Sequence, residues 1–180
     1  YGGLVIALVT TLTAVITSLC GGRSRSDALI ETARRAALIT FPVLSLSILA
    51  LLYLLASGRF EYSSVYQTTD LSMPLYLKLA ALWGGQEGSL LFWCWLLAGF
   101  TFPVVARRWK NEADLLPWVI AATSFTLLFF IILVLFFENP FFFYFITLDG
   151  IIKRAFFPPA MSILAKPTDG TGLNPLLRHF

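Results

Sequence analysis

The sequence predicts an all-α, polytopic integral membrane protein with four transmembrane helices and further amphipathic helices lying at the membrane surface. Three observations carry this expectation. Charged residues are 13% of the 180 and apolar residues 58%, where a soluble domain holds roughly 25% charged residues, and the mean hydropathy is +0.80. Four runs, about 2–20, 36–56, 88–106 and 115–137, are apolar enough to cross a bilayer, which takes ~20 residues for ~30 Å of hydrocarbon. Basic residues gather in two short connections between those runs.

In chain order, the first two runs flank a stretch of about 21–35 that holds Arg23, Arg25, Arg34 and Arg35. The third run contains Gly99 and Pro103, which membrane helices tolerate where neighbours satisfy the freed backbone groups. Pro42, Pro103 and Pro117 are all expected near helix ends, where a missing N–H costs least. A second short connection, about 107–114, holds Arg107, Arg108 and Lys110, so seven of the thirteen Lys and Arg residues lie in these two connections. The positive-inside bias then puts both in the cytoplasm, with the N-terminus, the 57–87 stretch and the C-terminal stretch outside. The fourth run, "LLPWVIAATSFTLLFFIILVLFF", is the clearest span.

The outer stretches carry structure of their own. "SMPLYLKLAALWGG" reads as a surface helix over 72–84, with Ser72 as N-cap, Pro74 in the first turn and Leu75, Leu79 and Leu82 on one apolar face. Gly84 and Gly85 would end it in a left-handed turn, and Trp83 would sit at headgroup depth. The domain division expected is a four-helix membrane region, 1–137, followed by an aromatic and Pro-rich interfacial segment, 138–180, that opens with "ENPFFFYF" and later carries "FFPPA". The "KPTDGTGLNP" beyond reads as loop.

Several functions are excluded or unsupported. A net charge of +3 without a basic run gives no nucleic-acid footprint. Cys20 and Cys94 belong to no CxxC or Cys/His cluster, and His179 stands alone near the last residue, so no metal site is expected. No Walker loop, dinucleotide fingerprint or nucleophile elbow is present. A transporter would need paired broken spans with buried polar groups, and none is visible.

The stretch with the strongest chemical signal is "ALWGGQEGSLLFWCW", residues 81–95. Glu87 is an ionisable group beside a membrane helix, which marks a functional position. It is equally a first-turn acid stabilised by the helix dipole, by ~0.3–1 kcal/mol. Trp83, Phe92, Trp93 and Trp95 form an aromatic belt at the interface or a wall for a flat apolar ligand. Residue types and spacing leave both pairs of readings open.

The same stretch resembles a segment of the CcmF/NrfE proteins of cytochrome c maturation, members of the WWD haem-handling superfamily. The family's Trp-Gly, short polar insert, Glu-Gly-Ser-Leu-Leu and second Trp are similar to Trp83, Gly84, Glu87, Gly88, Ser89, Leu90, Leu91 and Trp93. Upstream, Pro74, Tyr76 and Lys78 fit the family's proline, aromatic and basic approach. Downstream, Asn139, Pro140 and Phe141 follow the fourth span, and "GLNPLL" at 172–177 fits the Asn-Pro pattern loosely. The resemblance covers the whole chain but only about the first quarter to third of a family member, so the chain is expected to be a fragment of a longer polypeptide.

The resemblance implies a haem lyase component of the cell inner membrane. It implies haem b as cofactor, with a haem chaperone, apocytochrome c and other maturation subunits as partners besides lipid. Trp83 and Trp93 would line the haem-facing side. Gly84, Glu87, Gly88 and Ser89 would form the haem-binding turn between surface helix and third span. Gln86 stands where many family members have histidine. The family's haem-ligating His-Pro-Pro motif would follow Asn-Pro-Leu-Leu, beyond the end of this chain, so His179 does not take that role and the iron ligands are expected elsewhere. The alternative, from the residues alone, is a non-catalytic structural or assembly subunit of a bioenergetic complex.

Overall fold

A computed structural model describes residues 1–107, 113–146, 151–155 and 167–172. Six helices appear among them: α1 Gly2–Ser24, α2 Asp27–Ser57, α3 Ser63–Thr68, α4 Leu75–Gly84, α5 Gln86–Ala106 and α6 Leu116–Ile132, the last preceded by a 3-10 turn, Ala113–Leu115, and continued by a π-helical turn, Leu133–Phe137. Four stretches among the described residues are long and apolar enough to cross a membrane: α1, α2, α5 and Ala113–Phe137. The chain is a multi-pass membrane protein of helical fold. A short antiparallel hairpin, β1 Phe143–Ile146 and β2 Ile152–Ala155, adds to it, pairing Phe143 with Ala155 and Ile146 with Ile152. Continuous apolar residues in "FFFYFI" hide the alternation that would mark a strand. Arg108, Lys110, "FFPPA", most of "GLNPLL" and His179 lie outside the described residues.

Two compact units divide the chain, one of Tyr1–Ile48 with Trp93–Leu135, the other of Leu49–Phe92 with Phe136–Phe180. In the first, α1 packs along α6, and Ala14, Ala33, Ala36, Ala37, Val105 and Ile120 form a buried cluster. Alanines let helix backbones approach closely, the usual means of helix association in lipid. Hydroxyls add bonds between helices: Thr10 Oγ1 lies 3.0 Å from Thr40 Oγ1, and the Trp95 indole N–H donates to Ser45 Oγ at 2.9 Å. Phe41 sits between Trp95 and Phe102, with ring centroids at 6.0 and 5.4 Å.

The connection expected over 21–35 is mostly helix. α1 runs to Ser24, where Arg25 takes a left-handed conformation (φ 50°, ψ 39°) and its N–H bonds the Gly21 carbonyl. α2 starts at Asp27, whose charge suits the positive end of the helix dipole. Gly21 permits the tight reversal, since a Cβ there would meet Ile30 Cγ1 at 2.9 Å. Hydropathy marks where the greasy run stops, and these helices extend past it. One consequence corrects an expectation: with α2 beginning at Asp27, Pro42 lies in its interior rather than near an end. Pro103 is also inside α5, one turn from its end, while Pro117 occupies the first turn of α6.

Arg34 has a structural task. Its Nε donates to the Val105 carbonyl and its Nη2 to the Ala106 carbonyl, each at 3.0 Å, satisfying the open C-terminus of α5. Glu31 anchors the neighbouring turn, with Arg35 Nε at 2.9 Å and Arg34 Nη1 at 3.6 Å. Arg34→Ala is expected to destabilise the intact protein in detergent by about 1–2 kcal/mol, since bonds from a charged donor to partly buried carbonyls are lost. Thermal unfolding measures this, and Arg34→Lys should recover only part of the loss because it lacks the fork that reaches two carbonyls.

Candidate functional site

In the second unit, three short pieces converge on the start of α5. α3 follows a β-bridge between Tyr62 and Phe143. The Ser63 N–H donates to the Phe142 carbonyl and the Tyr144 N–H to the Glu61 carbonyl, both at 2.8 Å. Asn139 is fully buried and folds the chain tightly: its Oδ1 accepts from the Phe141 N–H at 3.0 Å, and its carbonyl accepts from Phe142. Asparagine ahead of proline suits such a turn, because its side chain mimics a backbone acceptor. Residues 169–172 strap the other end of α3. Asp169 Oδ1 accepts from the Leu71 N–H, and the Thr171 and Gly172 N–H groups bond the carbonyls of Tyr66 and Thr69. Gly170 lies so close that a Cβ there would strike both carbonyls.

The quoted tryptophan-flanked stretch forms the corner between α4 and α5. α4 ends at Gly84, and Gly85 is extended (φ −120°, ψ 160°) rather than left-handed as expected. What Gly85 supplies is room, since a Cβ there would meet Thr68 Cγ2 of α3 at 2.5 Å. Gly88 lies directly under the Leu82 carbonyl of α4, and no side chain fits between. Ser89 Oγ reaches back to the Trp83 carbonyl at 2.9 Å, and its N–H bonds the Gly85 carbonyl at 3.0 Å. Backbone contact and one hydroxyl therefore fix the corner. Ser72 does not cap α4. Its hydroxyl donates to Asp70 Oδ1, and Pro74 is the N-cap residue.

Glu87 turns away from this corner. It is 3% exposed, and Ser63 of α3 donates a hydrogen bond to its Oε1. Gln67 Nε2 extends the chain of bonds, donating to Ser63 Oγ at 3.2 Å and to the Tyr144 hydroxyl at 2.7 Å. Glu87 Oε2 is buried without a hydrogen-bond partner among the described residues, as is Ser64 Oγ. Glu87 thus bonds the start of α5 to α3. Ser63, Gln67, Tyr144 and Asn139 complete the arrangement, and sequence reasoning missed the first three. A six-residue helix such as α3 has too little periodicity to be read, although the i, i+4 spacing of Ser63 and Gln67 is present.

The aromatic residues divide. Trp83 is 61% exposed, and its ring packs at 6.3 Å on Phe92 across the corner. Gly84 lies beside it as the last residue of α4. Trp93, which belongs to the other unit, is 57% exposed. No three His, Cys, Asp or Glu side chains are grouped as metal ligands among the described residues. Cys20 and Cys94 are unpaired, the former exposed and the latter buried. The described residues therefore offer aromatic faces and a rigid corner, and no set of iron ligands.

A membrane-embedded helical protein with a buried carboxylate at the root of one span, and an aromatic corner beside it, is the class that this geometry defines. No family model matches the chain. Curated relatives do. The chain is 31% identical over 175 residues to the cytochrome c-type biogenesis protein CycK of Bradyrhizobium diazoefficiens, covering 97% of this chain and 24% of that one. It is 30% identical over 165 residues to the probable cytochrome c-type biogenesis protein NrfE of Escherichia coli K12, covering 91% and 26%. It is also 34% identical over 112 residues to the cytochrome c-type biogenesis protein CcmF of Haemophilus influenzae, covering 61% and 17%. A solved structure of the cytochrome c heme lyase CcmF has the same fold over 77% of this chain and 23% of its own, with TM-score 0.70 and 22% identity. The chain belongs to the CcmF/NrfE family of cytochrome c-type biogenesis proteins and spans about a quarter of the length of the relatives it matches end to end.

The corner makes a sharp demand on Gly88. Gly88→Ala is expected to destabilise the intact protein by about 1–3 kcal/mol, the usual cost of forcing volume into a packed site. Gly2→Ala, where a Cβ meets nothing within 4 Å, should leave the thermal unfolding midpoint unchanged.

Proposed function

We propose that this chain is part of a membrane protein that delivers haem for covalent attachment to apocytochrome c. The observation that carries the reading is the match along nearly the whole chain to cytochrome c-type biogenesis proteins. The fold shared with a cytochrome c heme lyase agrees with it, and the assembly-subunit alternative draws no support from these relatives. Bound haem b would supply the vinyl groups to which cysteine thiols of the apoprotein add, each S–H crossing a double bond to form a thioether.

The task of this chain's residues is positioning. The exposed Trp83 ring, braced by Phe92, offers a face for a porphyrin, and Trp93 offers a second aromatic surface. Gly84, Gly88 and Ser89 hold the backbone of the corner, and Glu87 ties it to α3. Iron ligation falls to residues outside the described set. Partners are haem, its chaperone, apocytochrome c and the other maturation subunits.

In this reading the protein sits in the cell inner membrane. Arg34 bonding to the end of α5 brings the α1–α2 turn and the C-terminus of α5 together. Arg23, Arg25, Arg35 and Arg107 then cluster at that end, which faces the cytoplasm by the positive-inside bias. The start of α5 faces outward, as does the N-terminus.

Purified intact protein is expected to show a Soret band, and its loss should abolish covalently bound haem in c-type cytochromes on haem-stained gels. Trp83→Ala and Trp93→Ala should each lower co-purified haem about 2- to 10-fold, equivalent to ~0.5–1.5 kcal/mol of aromatic stacking. Normal cytochrome c maturation without the protein would overturn the function, and unchanged haem in both variants would overturn the aromatic assignment.

A further inference from the structure

α4 is turned inside out for a helix in water. Leu75, Tyr76, Leu79 and Trp83 are 57%, 70%, 39% and 61% exposed, while Ala81 and Leu82 are buried. At about 100° per residue these four exposed side chains fall within one arc of roughly 100°. No polar residue interrupts the arc, and Lys78, the one charge of α4, lies half-buried beside it. A water-facing helix shows the reverse pattern, with its large apolar groups inward. The expected face of Leu75, Leu79 and Leu82 is therefore split, because Leu82 is drawn to the buried side where its carbonyl abuts Gly88.

We propose that the Leu75, Tyr76 and Leu79 part of this stripe is seated in the interfacial layer of the phospholipid bilayer, making α4 a membrane-surface helix whose far end leaves the Trp83 ring to the corner with Phe92. α4 has ten residues, about 15 Å at 1.5 Å per residue, half of the ~30 Å needed to cross hydrocarbon. Gly85 alone separates it from α5, a membrane-crossing helix, so α4 is held at the membrane boundary by covalent reach. Tyr76 on such a stripe matches headgroup depth, where a ring can bury its body and keep its polar tip wet. From Leu75 to Leu79 the stripe is a convex helix surface with no side-chain donor or acceptor beyond the Tyr76 hydroxyl, which suits fluid acyl chains better than a polar partner. Lys78 at its margin is placed to extend its ammonium toward phosphate.

Nitroxide labels test this in the intact protein, reconstituted in phosphatidylethanolamine and phosphatidylglycerol vesicles on a cysteine-free background. Leu75→Cys, Tyr76→Cys and Leu79→Cys labels should relax more with oxygen than with a water-soluble nickel chelate. All three should report one shallow depth, ~5–10 Å below the headgroups, with Phe125→Cys, at the middle of the Ala113–Phe137 span, deeper and Thr168→Cys in water. Nickel access equal to that at Thr168→Cys, exclusion of both agents (a protein covering the stripe), or a depth equal to that of Phe125→Cys would each overturn the proposal. The unsubstituted protein provides a second reading independent of variant folding. A phospholipid with a diazirine near its ester carbonyls should crosslink within 75–79, and adducts confined to the four spans would overturn it.

Discussion

The contact between Gly88 and the Leu82 carbonyl sets where α4 can lie. Two helices that meet through backbone, with no side chain between them, have one geometry available, and Ser89 locks it by bonding the Trp83 carbonyl. From that contact follow the exposure of Trp83, its packing on Phe92 and the direction of the α4 stripe. It also turns Glu87 into the interior, where a hydroxyl from α3 meets it. A charge-capable group buried this deeply is costly without partners, so the α3 segment, the Asn139 turn and the strap at 169–172 are arranged to hold Ser63 in place.

The first unit is held by different physics. Lipid supplies no hydrophobic drive between helices, so association rests on close packing and on hydrogen bonds. The alanine cluster provides the first and the Thr10–Thr40 and Trp95–Ser45 pairs the second. Arg34 closes the account at the end of α5, where helix carbonyls would otherwise stay open. A guanidinium that reads in the sequence as an orientation signal is also a cap, and the two roles are compatible because both need it at the membrane edge.

Much of the fold was legible because crossing a bilayer forces long apolar helices, and four such runs stand out in the composition. What hydropathy missed lies at their ends. The polar turns from 21 to 35 are helical because helices need not stop at the hydrocarbon boundary, and Pro42 became interior as a result. The β1–β2 hairpin was hidden by a run of aromatics without alternation. Of the site, Trp83, Glu87, Gly88 and Ser89 were legible as a motif, but their partners were not. Gly85 reads as a helix terminator and serves as clearance for Thr68. Ser63 lies 24 residues before Glu87, on a helix too short to announce itself, and only the folded chain brings the two together.

The most direct measurement is a double-mutant cycle on Ser63 and Glu87 in the intact protein, read by thermal unfolding. Ser63→Ala removes the donor, Glu87→Leu removes the buried carboxylate, and the pair removes both. A coupling of about 1–3 kcal/mol is expected, with Ser63→Ala far more costly when the carboxylate is present to be stranded. Additive effects, agreeing within ~0.3–0.5 kcal/mol, would contradict the claim that the bond between Ser63 and Glu87 holds α3 to the root of α5.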